Sequence, residues 1–176
     1  ADPRLGPDGR WSVPVTATLG NILKAEANAT FSVELTDAGG CVVAQGSTGV
    51  TVPPLARREA HFDLAVPDPK LWSVDAPNLY TLRARLTRKG QQDDRRTLRI
   101  GFRTFRFDAD KGFFLNGEPL KIKGTCNHQD HAGVGVAVPD ALWEWRIGRL
   151  KAMGSNAIRC SHNAPATEFL DACDRL

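Results

Sequence analysis

The sequence predicts a mainly β protein: an immunoglobulin-like antiparallel β-sandwich followed by a partial α/β segment. Three observations predict it. Residues 10–103 alternate apolar and polar side chains in short runs separated by turn residues. Beyond Gly117 the period lengthens, and strand candidates take turns with helix candidates. A chain of 176 residues has room for one ordinary domain, or for one domain and part of another.

The strands come in order. Trp11-Ser12-Val13-Pro14-Val15-Thr16-Ala17-Thr18 opens the pattern. Pro14 marks it as an edge strand, because proline has no N–H for a ladder. Phe31-Ser32-Val33-Glu34-Leu35 alternates with period two, as a half-buried strand should. Asp37-Ala38-Gly39-Gly40 is turn chemistry, and Cys41-Val42-Val43-Ala44 resumes the sheet. His61–Val66 and Tyr80–Leu86 alternate cleanly, and Lys89-Gly90 turns the chain into Arg96–Phe102. About seven short strands with no helical period indicate a sandwich. No Cys…Trp…Cys framework is present, so the architecture is fibronectin-like and not of the antibody type.

The second texture follows a linker and turn over residues 104–119. Leu120-Lys121-Ile122-Lys123-Gly124-Thr125 is a strand candidate, and residues 126–139 form a long connection. Asp140 suits the N-cap of a helix over 141–153. Trp143, Ile147 and Leu150 share one face of it. Arg146, Arg149 and Lys151 complement the negative end of its dipole, and Gly154 stops it. Asn156–Cys160 is a second strand. Pro165 fits the first position of a second helix, with Phe169, Cys173 and Leu176 on one face. The β-α-β-α order implies parallel strands joined by crossovers.

Composition narrows the function. The chain is 41% hydrophobic and 24% charged, with a net charge of +3 that resides wholly in residues 1–103. There is no basic stripe, so nucleic acid is not an expected partner. No apolar run approaches the ~18 residues of a membrane span, so no membrane partner is expected either. The start, Ala1-Asp2-Pro3-Arg4, lacks the basic and apolar regions of a secretory signal, as a mature or excised chain would. A periplasmic or extracellular setting is preferred to a cytoplasmic one, although the redox compartment stays open. Cys41, Cys126, Cys160 and Cys173 make no Cys-x-x-Cys pair, and Cys160 and Cys173 read as buried thiols. No cofactor is expected.

In α/β folds the reactive groups gather at the carboxyl ends of parallel strands. Two such ends exist here. One leads into Cys126-Asn127-His128-Gln129-Asp130-His131, the other is Arg159-Cys160-Ser161-His162-Asn163. Three of the four histidines fall in these two stretches. Adjacent strands would bring His128 and His162 near one another. Imidazole, amide and carboxylate groups together suit a hydroxyl-rich ligand. His128, Gln129, Asp130, His131 and His162 also supply nitrogen and oxygen donors, but in no closed zinc spacing, and no metal site is assigned. Ser161 lacks the Gly-x-Ser-x-Gly elbow of a nucleophile.

These residues carry a resemblance. Gly101-Phe102-Arg103, Phe114-Leu115-Asn116-Gly117-Glu118-Pro119, the run Lys123–Asp130 and the run Gly154–Asn163 resemble glycoside hydrolase family 2, nearest to its β-galactosidases. Leu71–Leu82 is similar to the family's sandwich domain. The resemblance implies domains at 1–103 (sandwich) and 120–176 (the first two βα units of a TIM barrel, incomplete). It implies a retaining mechanism with two glutamates on later barrel strands, an acid/base and a nucleophile. By the same resemblance His128 and His162 hydrogen-bond sugar hydroxyls, Arg159 orients the nucleophile region, and Asn127 and Asp130 line the loop. The substrate of the full-length protein would be a β-glycoside or oligosaccharide. Asn163-Ala164 departs from the Tyr-Pro of some members, which leaves the sugar open.

The six glutamates are Glu26, Glu34, Glu59, Glu118, Glu144 and Glu168. None falls at a barrel strand end, so no catalytic residue is assigned in this chain and the chain alone is expected to be inactive. Apolar faces left by an incomplete barrel would be covered by the sandwich or by another copy, the second case giving a homo-oligomer. Trp72 reads as a core anchor more than as a sugar platform. The alternative function is a non-catalytic carbohydrate-binding or structural sandwich module.

Overall fold

A computed structural model describes residues 1–176. The chain divides into two compact units, residues 1–70 with 78–102, and residues 71–77 with 103–176.

The first unit is the sandwich. Its strands are β1 (Arg4–Leu5), β2 (Trp11–Gly20), β3 (Ala27–Thr36), β4 (Val42–Val52), β5 (Arg57–Val66), β6 (Tyr80–Thr87) and β7 (Asp94–Ile100). They form a three-stranded sheet, β1-β2-β5, and a four-stranded sheet, β4-β3-β6-β7, with all pairs antiparallel. The period-two pattern explains which face is buried. Phe31, Val33 and Leu35 of β3 point inward, as do Val13 and Val15 of β2 and Tyr80 and Leu82 of β6. Phe102 is 0% exposed and meets Trp11 and Tyr80 edge-on, at ring separations of 5.4 and 4.9 Å. β1 pairs only with Trp11 and Ser12, so Pro14 lies on the open stretch of β2, where a missing N–H costs no ladder bond. Asn21 is the buried polar plug of this unit. Its Nδ2 donates to the carbonyls of Ala25, Val52 and Pro53, and its Oδ1 accepts from the N–H of Leu23.

The second unit begins with a difference from expectation. Residues 104–119 are not a linker and turn but a three-stranded antiparallel meander of β8 (Phe105–Asp108), β9 (Gly112–Leu115) and β10 (Glu118–Pro119). The physical reason is the Asn116-Gly117 pair. Both residues have positive φ, 52° and 86°. Such a pair makes a two-residue hairpin turn whose twist matches the strands it joins. Asp108 closes the other hairpin by accepting from the N–H groups of Asp110 and Lys111.

Next come β11 (Gly124–Asn127), α1 (Asp140–Ala152), β12 (Ala157–Cys160) and α2 (Thr167–Arg175). β11 and β12 are parallel, with Gly124 opposite Ala157 and Asn127 opposite Cys160. The first strand therefore starts later than its apolar run predicts. The side chain of Asn156 takes the Lys123 N–H and the Lys121 carbonyl, which a neighbouring strand would otherwise bond. Gly124 allows the close approach, since a Cβ there would stand 2.6 Å from the Ala157 carbonyl oxygen.

Both helix starts shift by a residue or two. Pro139 is the N-cap of α1, and Asp140 sits in the first turn, where its carboxylate still meets the positive end of the dipole. Ala166 caps α2, so Pro165 precedes the helix and does not open it. α1 ends as expected. Gly154 N–H donates to the Lys151 carbonyl and Ser155 N–H to that of Leu150, closing the last turn. Trp143, Ile147, Phe169 and Ala172 form the buried cluster between the helices, flanked by Ile158, Cys160 and Cys173.

Residues 71–77 pack within this unit. Trp72 Nε1 donates to the Asp174 carbonyl at 2.8 Å, Lys151 Nζ to the Val74 carbonyl at 2.8 Å, and Asn116 Nδ2 to the Trp72 carbonyl at 3.0 Å. The Arg103 guanidinium lies over the Trp72 ring at 4.9 Å. Trp72 is half-buried and lies outside the core, so it is not the core anchor the sequence suggests; what it holds is the end of α2.

Candidate functional site

The two strand ends are tied together before any side chain is considered. The Ser161 N–H donates to the Asn127 carbonyl at 2.9 Å, which extends the parallel ladder by one bond beyond β12. Thr125 Oγ1 donates to Asn127 Oδ1 at 2.6 Å and fixes that side chain. Directly after the last bonds come His128 and His162, with ring centres 5.6 Å apart and planes inclined by 56°. His162 has φ 65°, in the left-handed region where histidine is among the few enriched non-glycine residues. The Asn163 N–H donates to the Ser161 carbonyl across this turn. Local backbone strain of this kind gathers at functional sites.

The remaining candidates do not all converge. Register places Cys126 opposite Arg159 and Asn127 opposite Cys160. Side chains alternate along a strand, so Cys126 and Arg159 share one face and Asn127 and Cys160 the other. Asn127, Cys160 and Ser161 line the helix side with Trp143, Ile147 and Phe169. The cavity there is about 10 Å³, close to the minimum that holds one water. That cavity is too small for a sugar; His128 also lines it, and His128, His162 and Arg159 are each exposed to solvent. The Arg159 side chain makes no hydrogen bond or ion pair, although its backbone is part of the β11–β12 ladder.

Asp130 is exposed, and its carbonyl accepts from Arg146 Nη1 at 3.1 Å. Arg146 is a residue that sequence reasoning misplaced. It reads as a complement to the helix dipole, yet only Arg149 and Lys151 occupy the last turn. Arg146 lies mid-helix, beside the Trp143 ring, and pins the loop after β11. The same loop is held by His131, whose N–H and carbonyl both bond Gly135 and whose ring meets Trp145 edge-on at 6.3 Å. The spacing from Asp130 to Arg146 crosses a loop and a turn of helix, so no local pattern signals the bond.

Burial raises the Cys173 thiol to about 11, helped by the charge of Asp174 and by Cys160. Burial likewise raises Asp174 above the usual carboxylate range. Both lie at the end of α2 and not at the strand ends. All four cysteines are free thiols, with Cys41 and Cys126 exposed. No group of three or more His, Cys, Asp or Glu side chains converges. No helix is long and apolar enough to cross a membrane.

Comparison with known proteins decides the family. Residues 1–103 match the sequence model of glycosyl hydrolases family 2, and residues 108–176 match that of the family's TIM barrel domain. The chain belongs to glycosyl hydrolases family 2. Beta-galactosidase BoGH2A of Bacteroides ovatus is 43% identical over 164 residues, 92% of this chain and 19% of that protein. A beta-glucuronidase of Bacteroides fragilis is 36% identical over 152 residues, 86% of this chain and 22% of that protein. The crystal structure of a family 2 member from Bacteroides cellulosilyticus superposes with a TM-score of 0.87 at 36% identity, covering 95% of this chain and 23% of that one. The chain spans about a fifth of the length of these relatives.

In family 2 terms the first unit is the sandwich domain, and β11, α1, β12 and α2 belong to the start of the TIM barrel domain. The His128–His162 pair thus sits at the carboxyl ends of two neighbouring barrel strands. That is the end of a barrel from which active sites are built.

Proposed function

We propose that this chain is part of a retaining glycosidase acting on β-linked glycosides, nearest in kind to a β-galactosidase. The observation that carries the reading is the His128–His162 pair at the ends of two parallel barrel strands. In this reading each imidazole hydrogen-bonds a sugar hydroxyl. The exposed Asp130 carboxylate adds acceptors and Arg159 adds donors for the ligand or the nucleophile region. Asn127, bonded to Thr125 on the helix side, lines the loop from behind and holds the strand end that presents His128.

Retaining hydrolysis needs a general acid and a nucleophile with carboxyl groups roughly 5–5.5 Å apart. Glu118 lies in β10, Glu144 and Glu168 lie in helices, and Glu26, Glu34 and Glu59 belong to the sandwich unit. Glu144 pairs with Arg175. None stands at the end of β11 or β12. The 176 residues by themselves therefore bind without turning over. The purified chain is expected to release no phenol from an aryl β-galactoside above a mock-purified control. Added galactose should shift the imidazole NMR signals of His128 and His162 and leave those of His61 in place. Hydrolysis above the control, or unmoved His128 and His162 signals at saturating sugar, would refute the reading.

A second reading, β-glucuronidase, is favoured by one specific feature. A glucuronide carries a carboxylate, and Arg159 is exposed at the site with no partner. The ratio of kcat/KM for aryl β-galactoside and aryl β-glucuronide in the whole protein separates the two.

A further inference from the structure

The loop that carries His128 is long, and a binding group on a mobile segment loses in ordering entropy what it gains in contacts. Two neighbouring residues of α1 hold this loop, and they leave the helix about 100° apart. Trp145 meets the His131 ring edge-on at 6.3 Å, where the His131–Gly135 bridge folds the loop back on itself. Arg146 works closer to the site. Its guanidinium lies over the ring of Trp143 at 5.5 Å, and Trp143 is 4% exposed, a fixed seat in the helix cluster. From that seat Nη1 donates to the Asp130 carbonyl at 3.1 Å. Arg146 also lines the small cavity beneath His128 and Gln129, so its side chain is part of the floor of the loop.

We propose, taking the His128–His162 site to bind sugar hydroxyls, that Arg146 is a positioning residue for it: seated on Trp143, it fixes the Asp130 carbonyl and through it the distance of His128 from His162. Asp130 follows His128 by two residues. Two residues of chain span at most about 7 Å, so a tie at one limits the travel of the other. The turn at His162 is held without Arg146, by Ser161 N–H on the Asn127 carbonyl and by Asn163 N–H on the Ser161 carbonyl. The movable half of the pair is therefore His128, and Arg146 is what restrains it from below. A hydrogen bond from a guanidinium is charge-assisted and stronger than one between neutral groups. Arginine suits the place because its flat head rests on an aromatic face while an edge N–H still donates. Arg146 acts through Asp130 and His128, not on the sugar itself.

The test uses the whole protein, with two readouts. One is kcat/KM on aryl β-galactoside and aryl β-glucuronide. The other is hydrogen exchange, followed by mass spectrometry over residues 128–137 and over α1 and α2. Arg146→Met keeps an unbranched stem against Trp143 and removes every donor. It should lower kcat/KM on the better glycoside by roughly 10- to 100-fold, the scale of a small misplacement of a binding group. Exchange over residues 128–137 should quicken, while α1 and α2 stay as protected as in the parent. Arg146→Lys still offers a charged donor and should recover most of both losses. A kcat/KM for Arg146→Met within about twofold of the parent's would overturn the proposal. So would quickened exchange spread equally over α1 and α2, which marks damage to the helix cluster, or a lysine variant no better than the methionine one. A parent that hydrolyses neither glycoside would sink the glycosidase reading alone. Exchange would then decide for Arg146, and an unchanged rate over residues 128–137 in Arg146→Met would overturn its role.

Discussion

The sandwich and the barrel start are stabilised on different scales. In the sandwich, β2 pairs with β5 without interruption from Trp11 opposite Val66 to Gly20 opposite Arg57. Its inward side chains come from strands far apart in sequence, and Phe102, Leu35 and Val13 are all 0% exposed. In the barrel start, β11 and β12 pair over four residues each. The buried cluster is Trp143, Ile147, Phe169 and Ala172, while Phe105 and Phe107 of the meander are 62% and 71% exposed. The unit with the larger core carries no candidate site residue, and the unit with the smaller core carries all of them. Site geometry here is set by a few short-range ties, not by a deep core.

The largest expected effect tests the larger core. Phe102→Ala removes a ring packed on Trp11 and Tyr80, and should destabilise the sandwich by about 3–5 kcal/mol. Chemical denaturation followed by tryptophan fluorescence measures it. Phe169→Ala makes the same kind of hole in the smaller cluster, and the cost should be nearer 3 kcal/mol, because a thinly covered site collapses more readily. Hydrogen exchange should then show lost protection in α1 and α2 with β2–β7 unchanged. Equal loss in both units would mean that the two cores melt as one.

Trp72→Phe keeps an aromatic ring, though a smaller one, and removes the N–H that meets the Asp174 carbonyl. It should cost about 0.5–1.5 kcal/mol and register mainly as faster exchange at the end of α2. The smallest effect is chemical. Cys173, with its thiol raised to about 11, should be the last cysteine alkylated at pH 8, after the exposed Cys41 and Cys126. Its folded-state value lies above the unfolded one. Its contribution to stability is therefore fully present below about pH 9 and is lost as pH rises through about 11. Peptide mapping after timed alkylation checks the order.

Much of the sandwich was legible because period two reports burial directly, as in Phe31, Val33 and Leu35. The Asp37–Gly40 turn was legible for the same local reason: Asp37 accepts from Cys41 N–H, and Gly40 takes φ 84°. The meander is not legible because its strands, of four residues or fewer, are too short to show a period. Its one strong signal, Asn116-Gly117, reads as a turn without announcing the strands on either side. The start of β11 was misread because hydrophobicity marks Leu120 and Ile122, while pairing is decided by the Asn156 side chain. At the site, the nearness of His128 and His162 followed from two adjacent strands. The left-handed φ of His162 and the opposite faces of Asn127 and Arg159 depend on register, which composition does not encode.

The seven residues from Leu71 to Pro77 have a genealogical consequence. They lie between β5 and β6 in the gene, yet Trp72, Val74 and their partners Asn116, Lys151 and Asp174 are one packing unit. A crossover between two family genes at the codon for Arg103 would exchange Trp72 along with the foreign sandwich. Asp174, Lys151 and Asn116 would then face a loop with which they had no shared ancestry. What is inherited as a working part is therefore discontinuous in the gene. Successful chimeras must either carry residues 71–77 with the barrel or preserve Trp72 on both sides of the cross.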